Sequence, residues 1–540
     1  MLSLVVARAA DTAPTVRSKA ASTLADVLSG IQEERNGYGG AAFRQAVMEA
    51  CGWGDAGTAR CHDGLLLETV RNRVEDEKAN VRRNAVPALE ALLKLSPAFG
   101  EGGDAAIGKE HEADFMLLQE RCNDVSLSTR KAAMGALSSL LMLRPSDESL
   151  QTAWVSSVLP LAGDPEQTCQ NRVVELIRTV LLDRVVDWHK AEVSTGSSKG
   201  SSSSSSRSRS RSRPARGVQS SASFDARSVE GAAAPEKHAN ADRVAICSVW
   251  ALLAKTGQGD AHKCLKKAVS TLMLQNGSTG FKAAPLLKAL RAAAVMALPP
   301  KISSEALTTL GEMPDQHQQA AKGVQGRYGW AAEDMRLISL AENLPPSSLT
   351  VIRRGTWVLL EAFLDRAPSP GVRPDAVSEK DQQQHLPDLD AMFVVRCWNR
   401  IRGHILEEAL SGTAVGVSSP GSEEAFEADG RRVLGVLARV AASVPPEVAT
   451  PLAESLLEML EDLVTCPETS GVLVAALHML CFAQASTEEA GAAMCNEWAN
   501  AALTKFEQLL DIFVYQGSEA LRTTAGLALA DSTWLFWWSA

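Results

Sequence analysis

Aspartate and arginine recur in this 540-residue chain at a spacing that could pair opposite charges repeatedly. Asp11 with Arg17, Asp76 with Arg82, and Asp124 with Arg130 share one pattern: Asp-x4-apolar/small-Arg-x2-small-x3-apolar-x3-Leu. A looser fourth copy sets Asp164 with Arg172, its arginine displaced by two positions and its apolar spacing kept. A guanidinium offers a planar fork of donors to a carboxylate, so such pairs can form charge-assisted, bidentate hydrogen bonds. Because the residues return at a fixed place in a repeat, they are expected to tie successive units together as a structural ladder.

A second set of charged residues is clustered. Arg82 with Arg83, Arg130 with Lys131, Lys263 with Lys266 and Lys267, Arg353 with Arg354, and Arg431 with Arg432 are candidates for phosphate contact. Any one of them reads as a solvated helix face; several aligned on one side could follow a nucleic-acid backbone without reading bases. The formal charge of −10 excludes a chain that is a polycation overall, so contact with nucleic acid would have to be local.

Signals for catalysis are sparse. There is no Gly-x4-Gly-Lys-Ser/Thr phosphate loop, no Gly-x-Gly-x-x-Gly after a strand and no Gly-x-Ser-x-Gly on a strand-to-helix elbow. His111-Glu112 lacks the second histidine that a zinc-binding helix needs, and Asp388 and Asp390 read as solvated or capping residues. None of the ten cysteines forms a Cys-x-x-Cys pair, and most are expected to be small buried hydrophobes. The expectation is a non-enzymatic chain with no cofactor, no metal and no small-molecule substrate. The most apolar stretches are broken by Lys and Arg, as in Lys282 to Leu298, so no membrane span is expected.

The elements that carry these residues are helical. Apolar residues make up 45% of the chain but aromatics only 5%, and Ala, Leu, Glu, Gln and Arg favour helix over strand. Positions three, seven and eleven after each motif arginine share one helix face, so each motif helix buries a single stripe. A helix-compatible stretch precedes each motif, as at 113–122 and 150–162, with a short polar turn between. The second and third arginines are 48 residues apart, near the about 40–47 of HEAT or armadillo units. The first two are 65 apart, and the Gly-rich stretch Asn36–Gly64 reads as an inserted loop. Ile352-Arg353 with Thr356, Leu360 and Leu364, and Leu521-Arg522 with Ala525 and Leu529, fit the same template. The segments 244–298, 393–410, 429–465 and 470–512 read as helices of diverged repeats. The expected fold class is all-α, a HEAT-repeat α-solenoid with a long disordered Ser/Arg-rich insertion.

That insertion covers about 193–242. Ser201–Ser206 is followed by Arg207, Arg209, Arg211 and Arg213 alternating with serine, which leaves little to bury. It reads as an inert loop, a nuclear-import or nucleic-acid tether, or a phosphorylation-controlled switch. The expected organisation is an N-terminal array over 1–192, the linker over 193–242, and a diverged C-terminal array over 243–540. Shorter loops are expected at Ser96–Glu110, Ala367–Leu389 and Ser411–Glu423.

The stretches 11–20, 77–85 and 121–132, with Ala153-Trp154-Val155 and Val158-Leu159-Pro160 after them, resemble consecutive repeats of the D3 subunit family of condensin II. The resemblance covers mainly 1–186, and weakly 330–365 and 505–530. It implies a nuclear, non-catalytic subunit that sits on a kleisin beside coiled-coil SMC ATPase subunits, touches DNA and chromatin, and helps condense mitotic chromosomes. The chain starts almost inside a repeat and ends in the apolar Trp534-Leu535-Phe536-Trp537-Trp538-Ser539-Ala540, a poor cap for such an array. A fragment is therefore expected. The alternative is another HEAT-repeat scaffold, such as a nuclear transport receptor or a phosphatase scaffold.

Overall fold

Each motif places its small and apolar residues on one face of a helix, and that face needs a neighbour. In the computed structural model the neighbour is the next motif helix. The structure describes residues 2–33, 40–51, 53, 65–99, 111–197, 248–274, 281–299, 332–341, 344–364, 389–410 and 423–461, with isolated positions between 472 and 497. Among the described residues every regular element is helical.

The first helix of each pair is α1 (Leu2–Ala9), α4 (Leu65–Val74), α6 (Glu112–Cys122) and α8 (Glu148–Ser157). The motif helices are α2 (Pro14–Glu33), α5 (Ala79–Leu95), α7 (Leu127–Leu143) and α9 (Gln167–Ile177). Motif helices stack on one another in order, α2 on α5, α5 on α7, α7 on α9, and the first helices do the same, α1 to α4 to α6 to α8. Two parallel layers of helices result, the defining arrangement of a HEAT-repeat α-solenoid.

The buried stripe agrees with the spacing. Ala20, Leu24 and Leu28 of α2, Ala85, Leu89 and Leu93 of α5, and Ala133, Leu137 and Leu141 of α7 are all buried. The alanine three residues after each motif arginine lets the helices approach, and the leucines fill the layer between them. Trp154 of α8 is buried among them, and its indole Nε1 donates to Ser138 Oγ of α7 at 2.9 Å, so the polar edge of a large ring is satisfied inside the core.

One sequence expectation needs correction. The stretch Asn36–Gly64 is not wholly loop, because α3 (Gly40–Ala50) forms within it and buries Val47, with Cys51 buried just beyond. Its glycines had outweighed the apolar spacing of Phe43, Val47 and Cys51. Farther on, α9 continues through a π turn (Arg178–Leu182) into α10 (Asp183–Ser197).

The chain continues with α11 (248–256), α12 (Gly259–Leu274), α13 (Ala283–Met296), α14 (Ala332–Ala341), α15 (Pro346–Leu364), α16 (Ala391–Leu410), α17 (Glu423–Val440) and α18 (Pro446–Glu461). These helices stack directly on the first array. α10 packs on α13, α12 packs on α9 and on the 3-10 turn Leu159–Gly163, and Trp188 meets Trp250 edge to face at 5.2 Å between centroids. Hence the two groups of helices form one continuous stack across the Ser/Arg insertion. Residues 198–242 of that insertion, the loops at 367–388 and 411–422, and the motif at Leu521-Arg522 lie outside the described residues.

Close helix approach in the second group depends on glycine. A Cβ on Gly355 of α15 would lie 2.8 Å from the Trp250 carbonyl oxygen of α11 and 3.1 Å from Leu253 Cβ. Gly355 therefore lets two backbones meet where any side chain would separate them.

Candidate functional site

The motif turns build a repeating polar unit. In each, the aspartate Oδ1 accepts the main-chain N–H two residues on: Ala13 to Asp11 at 2.9 Å, Lys78 to Asp76 at 3.0 Å, Ser126 to Asp124 at 2.8 Å, and Glu166 to Asp164 at 2.8 Å. This Asx turn fixes the chain as it enters the motif helix. The arginine six residues later folds back on its own turn, Arg17 Nη1 donating to the Asp11 carbonyl at 3.1 Å, Arg82 to that of Asp76 at 2.7 Å, and Arg130 to that of Asp124 at 2.9 Å.

The remaining donors of each guanidinium reach the next turn. Arg17 grips Asp76 at 2.7 and 3.0 Å, and Arg82 grips Asp124 at 2.7 and 2.8 Å, both bidentate. Arg130 Nη2 donates to Asp164 Oδ1 at 3.1 Å, with Nε 3.0 Å from Oδ2. Each aspartate thus serves two partners: its own turn and the preceding helix. Burial pushes the carboxyls of Asp76 and Asp124 up, but the hydrogen bonds from Arg17 and Arg82, from the turn N–H groups, and the surrounding positive charge outweigh it and hold both below the usual carboxylate range.

The fourth rung differs from the sequence reading. Arg172 does not face the ladder; it pairs with Glu175 of its own helix at 2.6 Å on the surface. Gln170 stands six residues after Asp164, as each arginine does after its aspartate, and its Nε2 donates to the Asp164 carbonyl at 2.6 Å. The place in the turn determined the role, and the nearest arginine in sequence misled.

The basic clusters are only partly open for phosphate. Arg82 and Arg130 are committed to the ladder, Lys266 reaches Glu361 at 2.9 Å, and Lys263 pairs with Asp260 at 2.9 Å. Arg83 and Lys267 are exposed and Lys131 half-buried. Arg353 is buried against Asp429 of α17 at 2.7 Å, a rung of different construction because its aspartate sits within a helix. There burial prevails and raises the Asp429 carboxyl despite Arg353 and Arg354.

Two polar clusters were not anticipated. Glu361 of α15 lies 3.1 Å from His262 and 2.9 Å from Lys266 of α12 and 3.8 Å from Arg432 of α17. Burial would raise its carboxyl, but His262 and Lys266 lower it to about 2. Near the start of α6, Ser96 Oγ is 2.9 Å from His111 Nε2, His111 Nδ1 is 3.1 Å from Asp114 Oδ2, and Arg71 forks onto Asp114 at 2.6 and 2.8 Å. That Ser–His–Asp connectivity resembles an acyl-transfer triad, but Ser96, His111 and Asp114 are 1%, 2% and 0% exposed, so no substrate reaches the hydroxyl. The cluster pins α4, α5 and α6 together. Its members are distant in sequence or sit in turns, so periodicity alone gave no signal for it.

Among the described residues no group of three His, Cys, Asp or Glu side chains is arranged to hold a metal ion, and no helix is long and apolar enough to cross a membrane.

Paired helices joined by a shared Asp–Arg ladder make the chain a HEAT-repeat solenoid. Comparison with known proteins places it nearer. The chain is 30% identical over 226 residues to the condensin-2 complex subunit D3-L of Xenopus laevis, a match covering 35% of this chain and 14% of that protein. It is 29% identical over 216 residues to the mouse condensin-2 complex subunit D3, covering 34% and 13%. It is 29% identical over 183 residues to the condensin-2 complex subunit CAP-D3 of Arabidopsis thaliana, covering 34% and 12%. The matches thus span about a seventh of the length of these relatives or less. No family model matches the chain. Among solved structures, a C-terminal fragment of the cohesin loader SCC2 of Chaetomium thermophilum aligns over 99% of this chain and 41% of that one at 14% identity, with a TM-score of 0.25. Importin beta aligns over 99% and 69% at 11% identity, with a TM-score of 0.20. Superpositions that loose add nothing to the fold, which stands on the helix pairing itself.

Proposed function

We propose that this chain is a non-catalytic HEAT-repeat scaffold of a condensin II complex, or a piece of one, that contributes to chromosome condensation in the nucleus. The observation that carries this reading is the similarity to D3 subunits from a frog, a mouse and a plant, in a chain whose helix pairs share a regular Asp–Arg ladder. A stack of helix pairs gives a long surface with many short binding faces, which suits a subunit that positions others. In this reading the partners are a kleisin segment and, through it, SMC ATPase subunits, with DNA as a second contact. ATP hydrolysis belongs to those ATPases. Arg83, Lys131 and Lys267 are the cluster members best placed to meet phosphate.

Affinity capture of the tagged chain from mitotic cells tests this. Recovery of a kleisin and coiled-coil ATPases is expected. Recovery of a small GTPase or a phosphatase instead would replace the proposal with the transport-receptor or phosphatase-scaffold alternative. Duplex binding titrated against salt tests the DNA contact, which requires affinity to fall steeply as salt rises.

A further inference from the structure

Displacing Arg172 from the ladder leaves its guanidinium on the wall of a cavity of about 670 Å³ between α3, α5, α7 and α9. The floor is apolar and partly open: Met142 is 42% and Leu143 52% exposed at the end of α7, beside buried Leu176. The rim is basic. Arg44 of α3, Lys94 of α5, Arg172 of α9 and Arg184 of α10 all line it; Lys94 pairs with Glu90 of its own helix and Arg172 with the lining carboxylate Glu175, each at 2.6 Å.

Two local features make the rim basic and the space open. An uninterrupted α-helix would bring Asp183, eleven residues after Arg172, back to the same face. The π turn Arg178–Leu182 inserts an extra residue into the winding, so Arg184 lines the cavity and Asp183 does not. An acid is thereby exchanged for a base. The second feature is Gly135, in the middle of α7. A Cβ there would meet only Arg172 Nη2, at 3.9 Å. No close packing requires this glycine, which costs a helix interior about 1 kcal/mol relative to alanine, and its effect is to keep the wall low.

We propose that this cavity is a docking site for an acidic peptide segment of another protein, carrying an aliphatic or aromatic anchor. Charge complementarity supports that occupant: in a chain of net charge −10, four basic side chains, two of them paired with Glu90 and Glu175, surround a partly exposed apolar floor and leave it net positive. The volume is within the usual range for burying a few side chains, which is roughly 300–1,000 Å³. The anchor lies against Met142, Leu143 and Leu176 while flanking carboxylates meet Arg44 and Arg172. The inference takes from the scaffold reading only that another chain supplies the segment. It is tested without condensin subunits, so either can fail alone.

The test uses the full chain and fluorescence anisotropy with a labelled helical peptide bearing leucines on one face and glutamates on the other. Saturable binding is expected, weakened about tenfold or more by the double substitution Arg44→Glu with Arg172→Glu. Gly135→Leu fills the cavity without changing charge and raises helix propensity, so it is expected to abolish binding while circular dichroism and melting hold. Glu175→Gln is expected to tighten binding. The proposal is overturned if the same peptide with lysine for glutamate binds equally, or if both the charge reversal and Gly135→Leu leave affinity unchanged. It is also overturned if a DNA duplex displaces the peptide and itself loses affinity in the charge-reversed protein, which would make the rim a nucleic-acid surface.

Discussion

Arg82 closes a bidentate hydrogen-bonded pair on Asp124 across 42 residues of chain, at 2.7 and 2.8 Å, while the same Asp124 anchors the turn that starts the next motif helix. One carboxylate therefore couples how a repeat begins to where the previous repeat sits. A solenoid has no central core to hold its units in line, so such shared residues matter more than their count suggests.

Truncating one partner of such a pair strands the other. Asp124 is 1% exposed at its side chain and Arg82 12%. Arg82→Ala is expected to destabilise the first array by about 3 kcal/mol, because the carboxylate stays buried without its main partner. Arg172→Ala, whose pair with Glu175 is on the surface, is expected to change stability by no more than about 0.5 kcal/mol. Urea unfolding followed by circular dichroism measures both. Equal effects would mean that the ladder is ornamental.

Acid should weaken the fold in a defined window. Asp76 and Asp124 are held below the usual carboxylate range, and Glu361 is lowered to about 2. A folded-state pKa below the unfolded one adds stability above the unfolded value, about 4, and that stability is lost as pH falls through the folded value. Asp429 has the opposite sign: burial raises it, so its ionisation opposes folding and acidification relieves that cost. Glu361→Gln is expected to cost roughly 2 kcal/mol at neutral pH, allowing for solvent screening, and nearly nothing near pH 2. Melting temperatures of parent and variant across that range should converge on acidification; a gap independent of pH would remove the electrostatic explanation.

The repeat was legible because its determinants are local. Asp-x4-Val-Arg and the alanine and leucines after it are read from one helix and one turn, so the stripe of Ala85, Leu89 and Leu93 could be placed before any neighbour was known. The fourth rung was misread for the same reason. Residue type points to Arg172, whereas the turn geometry selects whatever stands six residues after Asp164, and there it is Gln170. Helix α3 gives a weak signal because glycines flank a short apolar pattern. The Glu361 cluster and the basic cavity depend on helices far apart in sequence, and the cavity also on a π turn that no periodicity signals.

The crossing of α11 and α15 provides a packing test. A Cβ on Gly355 would lie 2.8 Å from the Trp250 carbonyl oxygen, a backbone atom that cannot swing aside. Gly355→Val is expected to destabilise the second group of helices by about 2–3 kcal/mol, since backbone must shift to admit the side chain. Trp188 and Trp250 meet edge to face beside this crossing, so near-ultraviolet circular dichroism should lose intensity as the helices separate. An unchanged spectrum and melting temperature would mean that the helices cross less closely than described.

Cysteine chemistry gives an independent reading of the same burial. Cys51 and Cys122 lie in apolar surroundings that push their thiols up to about 12, and Cys397 is fully buried with its thiol raised as well. Cys169 is also buried, whereas Cys264 on α12 is partly exposed. A thiol reacts as its thiolate, so a raised pKa and exclusion of reagent act together to protect the first three. Brief treatment of the native chain with iodoacetamide at mildly alkaline pH, followed by peptide mass spectrometry, should label Cys264 before Cys51, Cys122, Cys169 or Cys397. Chemical unfolding should then expose all five at similar rates. Rapid native labelling of Cys122 would place it at a surface, and the packing of α6 against α7 and α8 would have to be abandoned.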